Sequence, residues 1–361
     1  MSTIPNDEYT QTKLTTFFLH PERRKRRVEG DTESVPVRSF EASDSSSQIS
    51  ASVVATTLHE QPEPTPFPPN PTRKHSLNGL AKRGMLAQTA RETKTMLAGL
   101  LKTIPHAAPD GYLYTRPEPP RLLQKYCPGY FPTEVKVLDA DTLDTAINVA
   151  NCAQYITVRD KRPVCVLNMA NAYSAGGGWQ NGALAQEEAL CYRSSLSFTL
   201  KLRHYPLSDD QAIYSPTVVV IRDSLNKGHK LLDLTKPNKL PIVSVISVAA
   251  IYRPLLEDSE YPPKYKDPRD RELMKDKMRI TLRIAAYNGH RRLVLGALGC
   301  GAFVNPRQEV ADCWVEVLNE NEFKGGWWES LIFAVMDDIN EGKNGEGNFG
   351  VFYRKLHGTM I

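Results

Sequence analysis

Val164-Cys165-Val166-Leu167-Asn168-Met169-Ala170-Asn171 runs through residues 172–175 into Gly176-Gly177-Gly178, and a short spacer then leads to Gln186-Glu187-Glu188. The apolar run reads as a buried strand, the glycines as a loop and the acids as the start of a helix. A strand that feeds a helix through a loop is half of a βαβ unit. In open α/β sheets ligands bind where strands end, so a site is expected just past Asn168.

Outward from this stretch, short apolar runs alternate with helical ones. The runs predict strands at 163–168, 218–221, 242–248, 293–298 and 331–335. Helical spacing predicts helices at 142–153, 183–200, 269–288 with Gly289 as the stop, and 308–318. Strands this apolar leave no wet face, so helices are expected on both sides of the sheet. Upstream, Leu86, Ala90, Thr93, Leu97 and Leu100 fall at helical spacing, and 103–105 closes that segment. The stretch 104–130, rich in prolines and aromatics, is expected to be irregular. No repeat at solenoid periods is visible.

The 361 residues fit one large domain with an appendage, or two small domains. A net charge of +4 with 24% charged residues does not by itself call for a nucleic-acid partner. Cys127, Cys152, Cys165, Cys191, Cys300 and Cys313 are scattered singly, without CxxC pairs or Cys/His groups at metal-ligand spacing. Reduced thiols, no metal and no cofactor are therefore expected. With neither a secretory apolar segment nor a membrane-length apolar run, the expectation is an intracellular protein with no membrane partner.

Three consecutive glycines permit positive φ and let backbone N–H groups close around anionic oxygens. The same triplet can be a plain surface turn; its place between a buried strand and paired acids favours the site. Glu187 and Glu188 can likewise be solvated residues favoured by the helix dipole. Adjacent helical residues face different ways, so only one of them is expected to face a reacting bond squarely.

Gly-Gly-Gly, a spacer and Gln-Glu-Glu resemble the signature of poly(ADP-ribose) glycohydrolases. Leu167-Asn168-Met169-Ala170-Asn171-Ala172 and Arg193-Ser194-Ser195-Leu196 resemble the microbial-type branch. The resemblance runs from about residue 80 to the C-terminus. It implies an α/β, macrodomain-like three-layer αβα sandwich with a mixed central sheet. It also implies that Glu188 is the catalytic acid, that Glu187 holds ribose hydroxyls and that Asn171 contacts the terminal ribose. Asn168, Gly176, Gly177, Gly178 and Gln186 complete this side as substrate-binding candidates. Ala175 stands where bacterial members commonly carry proline, a change that touches loop stiffness more than chemistry.

A second glycine loop, Gly299-Cys300-Gly301-Ala302-Phe303-Val304-Asn305-Pro306, follows the run 293–298. Glycine is common in strand-to-helix turns, so the loop alone says little. The resemblance makes it the diphosphate loop, and a strand end feeding a helix start suits a pyrophosphate. Gly299, Cys300, Gly301 and Ala302 would line it, and Phe303 would lie against the terminal ribose or else pack in the core.

Cleaving a ribose–ribose bond passes through an oxocarbenium-like state, which calls for a proton donor at the leaving oxygen. One carboxyl group can donate that proton and then activate water, while the glycine loops position the diphosphate.

Residues 28–76 are dominated by Ser, Pro, Thr and Glu and are expected to be disordered. The expected division is a tail over 1–76 and a catalytic domain over 77–361. Within the tail, Gln11, Leu14, Phe17 and Phe18 match Q-x-x-L-x-x-F-F over 11–18 and resemble the sliding-clamp (PCNA) interaction box; a chance apolar cluster is the alternative. Arg23-Arg24-Lys25-Arg26-Arg27 reads as a nuclear localisation signal or a polyanion contact. The expected partners are poly(ADP-ribose) or ADP-ribose and a sliding clamp, for a monomeric nuclear protein with possible cytoplasmic presence. Two rivals share the fold, a macrodomain reader that binds ADP-ribose without cleaving it and a hydrolase that removes single ADP-ribose groups from protein or DNA. The acid pair argues against the reader.

Overall fold

The computed structural model describes residues 77–361, apart from 105–106, 108–109, 151–161, 258 and 260. The clamp box at 11–18, the basic block at 23–27, the tail over 1–76 and the end of the helix expected over 142–153 lie outside the described residues.

Nine strands are described: β1 (Tyr112–Thr115), β2 (Val135–Leu138), β3 (Cys165–Ala170), β4 (Gln211–Val219), β5 (Ile242–Ala249), β6 (Leu256–Glu257), β7 (Lys264–Tyr265), β8 (Arg292–Leu295) and β9 (Ser330–Ala334). The helices are α1 (Leu77–Leu100), α2 (Thr142–Ala150), α3 (Gln186–Arg193), α4 (Leu196–Thr199), α5 (Pro268–Tyr287), α6 (Arg307–Leu318) and α7 (Asn348–Leu356). Seven strands form one mixed sheet in the order β1-β4-β5-β3-β8-β9-β2, and β6 pairs with β7 apart from it. Neighbours from β5 to β2 pair in parallel, whereas β4 runs against both β1 and β5. Six strands therefore deliver their carboxyl ends to one edge of the sheet.

The period of two along the strands builds the layers. On one face Cys165, Leu167, Leu293 and Leu295 pack with Met274, Met278, Val310, Trp314 and Phe352 from α5, α6 and α7. On the other, Val164, Val166, Val245 and Val294 pack with Leu86, Ala90, Leu143, Leu190 and Leu196 from α1 to α4. This is the expected three-layer αβα sandwich with helices on both faces. The stop expected for α5 is in place, with Gly289 at φ +72° just past its end, and the structure adds that Asp267 caps its start by accepting from the Arg269 N–H at 2.9 Å while Pro268 opens it.

Several expectations need correction. The helix expected over 183–200 is two helices, because Ser194 is extended and bridges Val220. The Ser194 hydroxyl donates to the Leu190 carbonyl at 2.7 Å, closing α3. Beside it the buried Arg193 guanidinium is held by Asp141 and Asp144. The stretch 104–130 contains β1, a four-residue edge strand, Tyr112–Thr115, exposed along most of its length and too short to stand out among the prolines and aromatics around it. β4 begins at Gln211 rather than 218, with an irregularity between Ser215 and Val218 where Pro216 lies. β8 stops at Leu295, and 296–298 already belong to the turn.

Candidate active site

Asn168 ends the fully buried part of β3. Its Nδ2 donates to Ser247 Oγ on β5 at 3.0 Å and to Glu187 Oε1 at 3.2 Å. The other oxygen of Glu187 accepts the Asn171 N–H at 2.8 Å. Asn171 turns its own Oδ1 to the Tyr173 and Ser174 amides, at 2.8 and 2.9 Å, and so shapes the loop that follows the strand. Glu187 is thus clasped by the strand exit and is only 3% exposed. Burial pushes its carboxyl up to about 8, against the pull of the Asn171, Asn168 and Gly176 donors, and the neighbouring Glu188 charge adds to the rise.

Glu188 faces the glycine triplet. Its Oε1 accepts the Gly178 N–H at 2.9 Å, and its Oε2 accepts the Ala185 N–H at 2.9 Å. The second bond is the carboxylate half of a capping box at the start of α3. Alanine has no oxygen to return, so only that half is present. Gly177 has φ +59°, and a Cβ there would collide with Glu188 Oε1 and lie 3.2 Å from Glu187 Oε2. The oxygens that the triplet wraps are those of the protein's own carboxyl groups. Gly176 donates to Glu187, Gly177 donates to the Ser174 carbonyl at 2.9 Å, and Gly178 donates to Glu188. In this structure the triplet forms a seat for the two carboxyl groups.

Gln186 is committed elsewhere too. Its Oε1 accepts the Met169 N–H at 2.9 Å, and its Nε2 donates to the Leu167 carbonyl at 2.7 Å, as a neighbouring strand would. These bonds pin α3 to the end of β3 and so set where the next two side chains point.

The second loop leaves β8, the neighbour of β3 in the sheet. Its internal bonds are Cys300 N–H to the Ala297 carbonyl at 3.1 Å, Val304 N–H to Gly301 at 3.0 Å and Asn305 N–H to Gly299 at 3.0 Å. The amides of Gly301, Ala302 and Phe303 have no backbone acceptor among the described residues. Gly301 is exposed, and a Cβ built on it meets nothing within 4 Å. A row of N–H groups is thus left open ahead of α6, the arrangement that suits an anion. The Phe303 ring is edge-on to Tyr252, with centroids 5.2 Å apart, and the Phe303 carbonyl accepts the Arg253 N–H at 3.0 Å. Phe303 keeps partial exposure and packs at the rim of the core. Cys300 is buried, which pushes its thiol up.

Residues 112–223 match the sequence model of the microbial-type PARG catalytic domain. The chain carries a microbial-type PARG catalytic domain. Solved structures similar to it include poly(ADP-ribose) glycohydrolase (PARG) from Thermomonospora curvata, at 25% identity and a TM-score of 0.59, covering 75% of this chain and 99% of that one. The same bacterial enzyme bound to the inhibitor ADP-HPD is 27% identical with a TM-score of 0.59, over 75% of this chain and 99% of that one. A mutant PARG from Deinococcus radiodurans in complex with ADP-ribose is 28% identical with a TM-score of 0.56, over 70% of this chain and 98% of that one. No match is found among curated proteins. The PARG family match ends at 223, so β5, β8 and the second glycine loop lie beyond it and come to the site through the fold. Three further residues beyond the match, Ser247, Tyr265 and Asn305, carry buried hydrogen bonds of which the sequence shows no sign. Ser247 lies inside an apolar run and Asn305 near the end of the second glycine loop, and neither position announces a buried hydrogen bond.

Proposed function

We propose that this chain hydrolyses the ribose–ribose bonds of poly(ADP-ribose) and releases ADP-ribose, with Glu188 as the proton donor. The observation that carries the proposal is the pair of carboxyl groups seated at the start of α3, one turned to the strand exit and one to the glycine loop, at the sheet edge that also presents an open row of amides. In this reading the diphosphate lies on the Gly301, Ala302 and Phe303 amides, and Phe303 orients the terminal ribose. Glu187 and Asn171 hold ribose hydroxyls. The bond from the anomeric carbon to the leaving oxygen breaks as Glu188 delivers a proton to that oxygen. Water then adds to the anomeric carbon and returns a proton to the same carboxylate. The fixed backbone donors to Glu188 limit where its oxygens can go, which is how positioning becomes rate.

The test is a product assay in which purified chain is incubated with poly(ADP-ribose) and free ADP-ribose is measured. Polymer that stays intact while bound would leave only an ADP-ribose reader. Release of single ADP-ribose groups from modified protein, with intact polymer, would favour the mono-ADP-ribosyl hydrolase.

Nuclear placement through 23–27 and clamp binding through Gln11, Leu14, Phe17 and Phe18 belong to the same proposal, supported by the sequence pattern alone. Clamp pulldown by the full chain is expected to vanish on Phe17→Ala with Phe18→Ala, and undiminished capture would count against the box.

A further inference from the structure

The second glycine loop is held by a side chain to which neither the motif nor the mechanism above gives a role. Asn305 is 4% exposed, and its amide is fully engaged. Nδ2 donates to the Ile251 carbonyl at 2.8 Å and to the Gly299 carbonyl at 3.1 Å, while Oδ1 accepts from the Tyr265 hydroxyl at 2.9 Å. One side chain thus ties together the first residue of the loop, the exit of β5 and the β6–β7 hairpin. Gly299, at φ +76°, is pressed so close to that amide that a Cβ would lie 2.5 Å from Nδ2. Next to Asn305, Val304 holds φ +58° with its side chain about half exposed. A β-branched residue is strained there, and such strain persists only where surrounding bonds enforce it.

We infer that Asn305 is a positioning residue, a latch that forces Val304 into the left-handed region and so keeps the Gly301, Ala302 and Phe303 amides turned outward before ligand arrives. The bonds described supply the mechanism. With the latch closed, the loop begins and ends on the same carbonyl, that of Gly299, which accepts from both the backbone and the side chain of Asn305. The only route between those ends passes through the open amides. A preformed row needs no ordering when an anion docks, so the latch contributes affinity without touching ligand. The inference rests on the proposed ADP-ribose site and deepens it.

The test pairs ligand binding with a ligand-free readout on the full-length chain. Titration with ADP-ribose is expected to show at least tenfold weaker binding for Asn305→Ala and a smaller loss for Tyr265→Phe, which leaves both Nδ2 bonds in place. In the absence of ligand, the Cys300, Val304 and Asn305 amides are expected to exchange hydrogen faster in Asn305→Ala than in wild type, while those of β3 and β5 do not. Val304→Gly keeps the tests meaningful should Asn305→Ala fold poorly. It accepts the left-handed φ without strain and leaves the Asn305 bonds in place, so melting temperature is expected to hold or rise while ADP-ribose affinity stays within about twofold of wild type. Affinity within twofold of wild type in Asn305→Ala, a severalfold loss in Val304→Gly, or affinity that merely follows melting temperature, would overturn the latch. A wild-type chain that binds no ADP-ribose would instead sink the proposed activity, and loop-specific exchange in Asn305→Ala would still register whether the latch holds the amides.

Discussion

The two glycine loops leave neighbouring strands of one sheet and use the same residue type in opposite ways. In 176–178 the amides turn inward, to the two carboxyl groups and to the Ser174 carbonyl. In 299–303 the loop closes on itself and leaves the Gly301, Ala302 and Phe303 amides without a backbone acceptor among the described residues. Composition cannot distinguish these cases, because glycine in either loop only permits the backbone to come close. What differs is what stands opposite: a helix start that carries two acids in the first loop, and open space in the second. One loop seats the protein's own carboxyl groups, whereas the other leaves its amides open.

The largest test of that contrast is Glu188→Gln. The side chain keeps its shape at the glycine seat but cannot deliver a carboxylic proton. Polymer cleavage measured by ADP-ribose release is expected to fall by about 10²–10⁴, while ADP-ribose binding at the other loop persists in calorimetry. Substantial turnover would remove Glu188 from the chemistry.

Next in size is Gly177→Ala. The added Cβ meets Glu188 Oε1 at a positive φ, so a loss on the order of 2 kcal/mol in denaturant unfolding is expected together with a severe loss of activity. Gly301→Ala is its counterpart in the open loop and should sit within about 0.5 kcal/mol of wild type, because nothing is there to be struck. Equal destabilisation at the two positions would break the comparison.

A gentler probe is the pH dependence of stability. The Glu187 carboxyl has an ordinary value of 4.5 and stands near 8 when folded. Between those values the unfolded chain has released a proton that the folded chain retains, so rising pH favours unfolding. The contribution is fully present below about 4.5 and lost as pH climbs through about 8, with a slope of at most ~1.4 kcal/mol per pH unit. Denaturant midpoints of Glu187→Gln should lack this decline across the window. Parallel curves for the variant and wild type would mean that the loop donors, not burial, govern Glu187.

Much of this architecture was legible because buried parallel strands and long amphipathic helices carry strong patterns. β3, β5 and β9 read as apolar runs, and α5 as a helical run ended by glycine. The edges were not legible. β1 is mostly exposed and β2 alternates over only four residues, so neither reaches the length at which a pattern outweighs chance. The break at Ser194 was hidden for a different reason, since it depends on a bridge to Val220 that local spacing cannot foresee. In the site, the motif marked the acids and the resemblance divided their proposed roles, but the bonds of Gln186, Asn168 and Asn305 are tertiary. Each joins residues from separate elements, and a polar side chain in a sequence does not say whether it will meet ligand or backbone.

Helix α1 has a consequence for where this protein can be cut. Gly182, with φ +76°, packs so tightly under α1 that a Cβ there would strike the Arg83 carbonyl, and Thr93 donates to the Tyr192 carbonyl at 2.9 Å. The turn between the glycines and the acids therefore leans on a helix that ends before the family match begins at 112. A fragment trimmed to the matched boundaries would keep every motif residue around Glu188 yet lose the buttress behind them. For this chain the smallest working piece is larger than its most recognisable one.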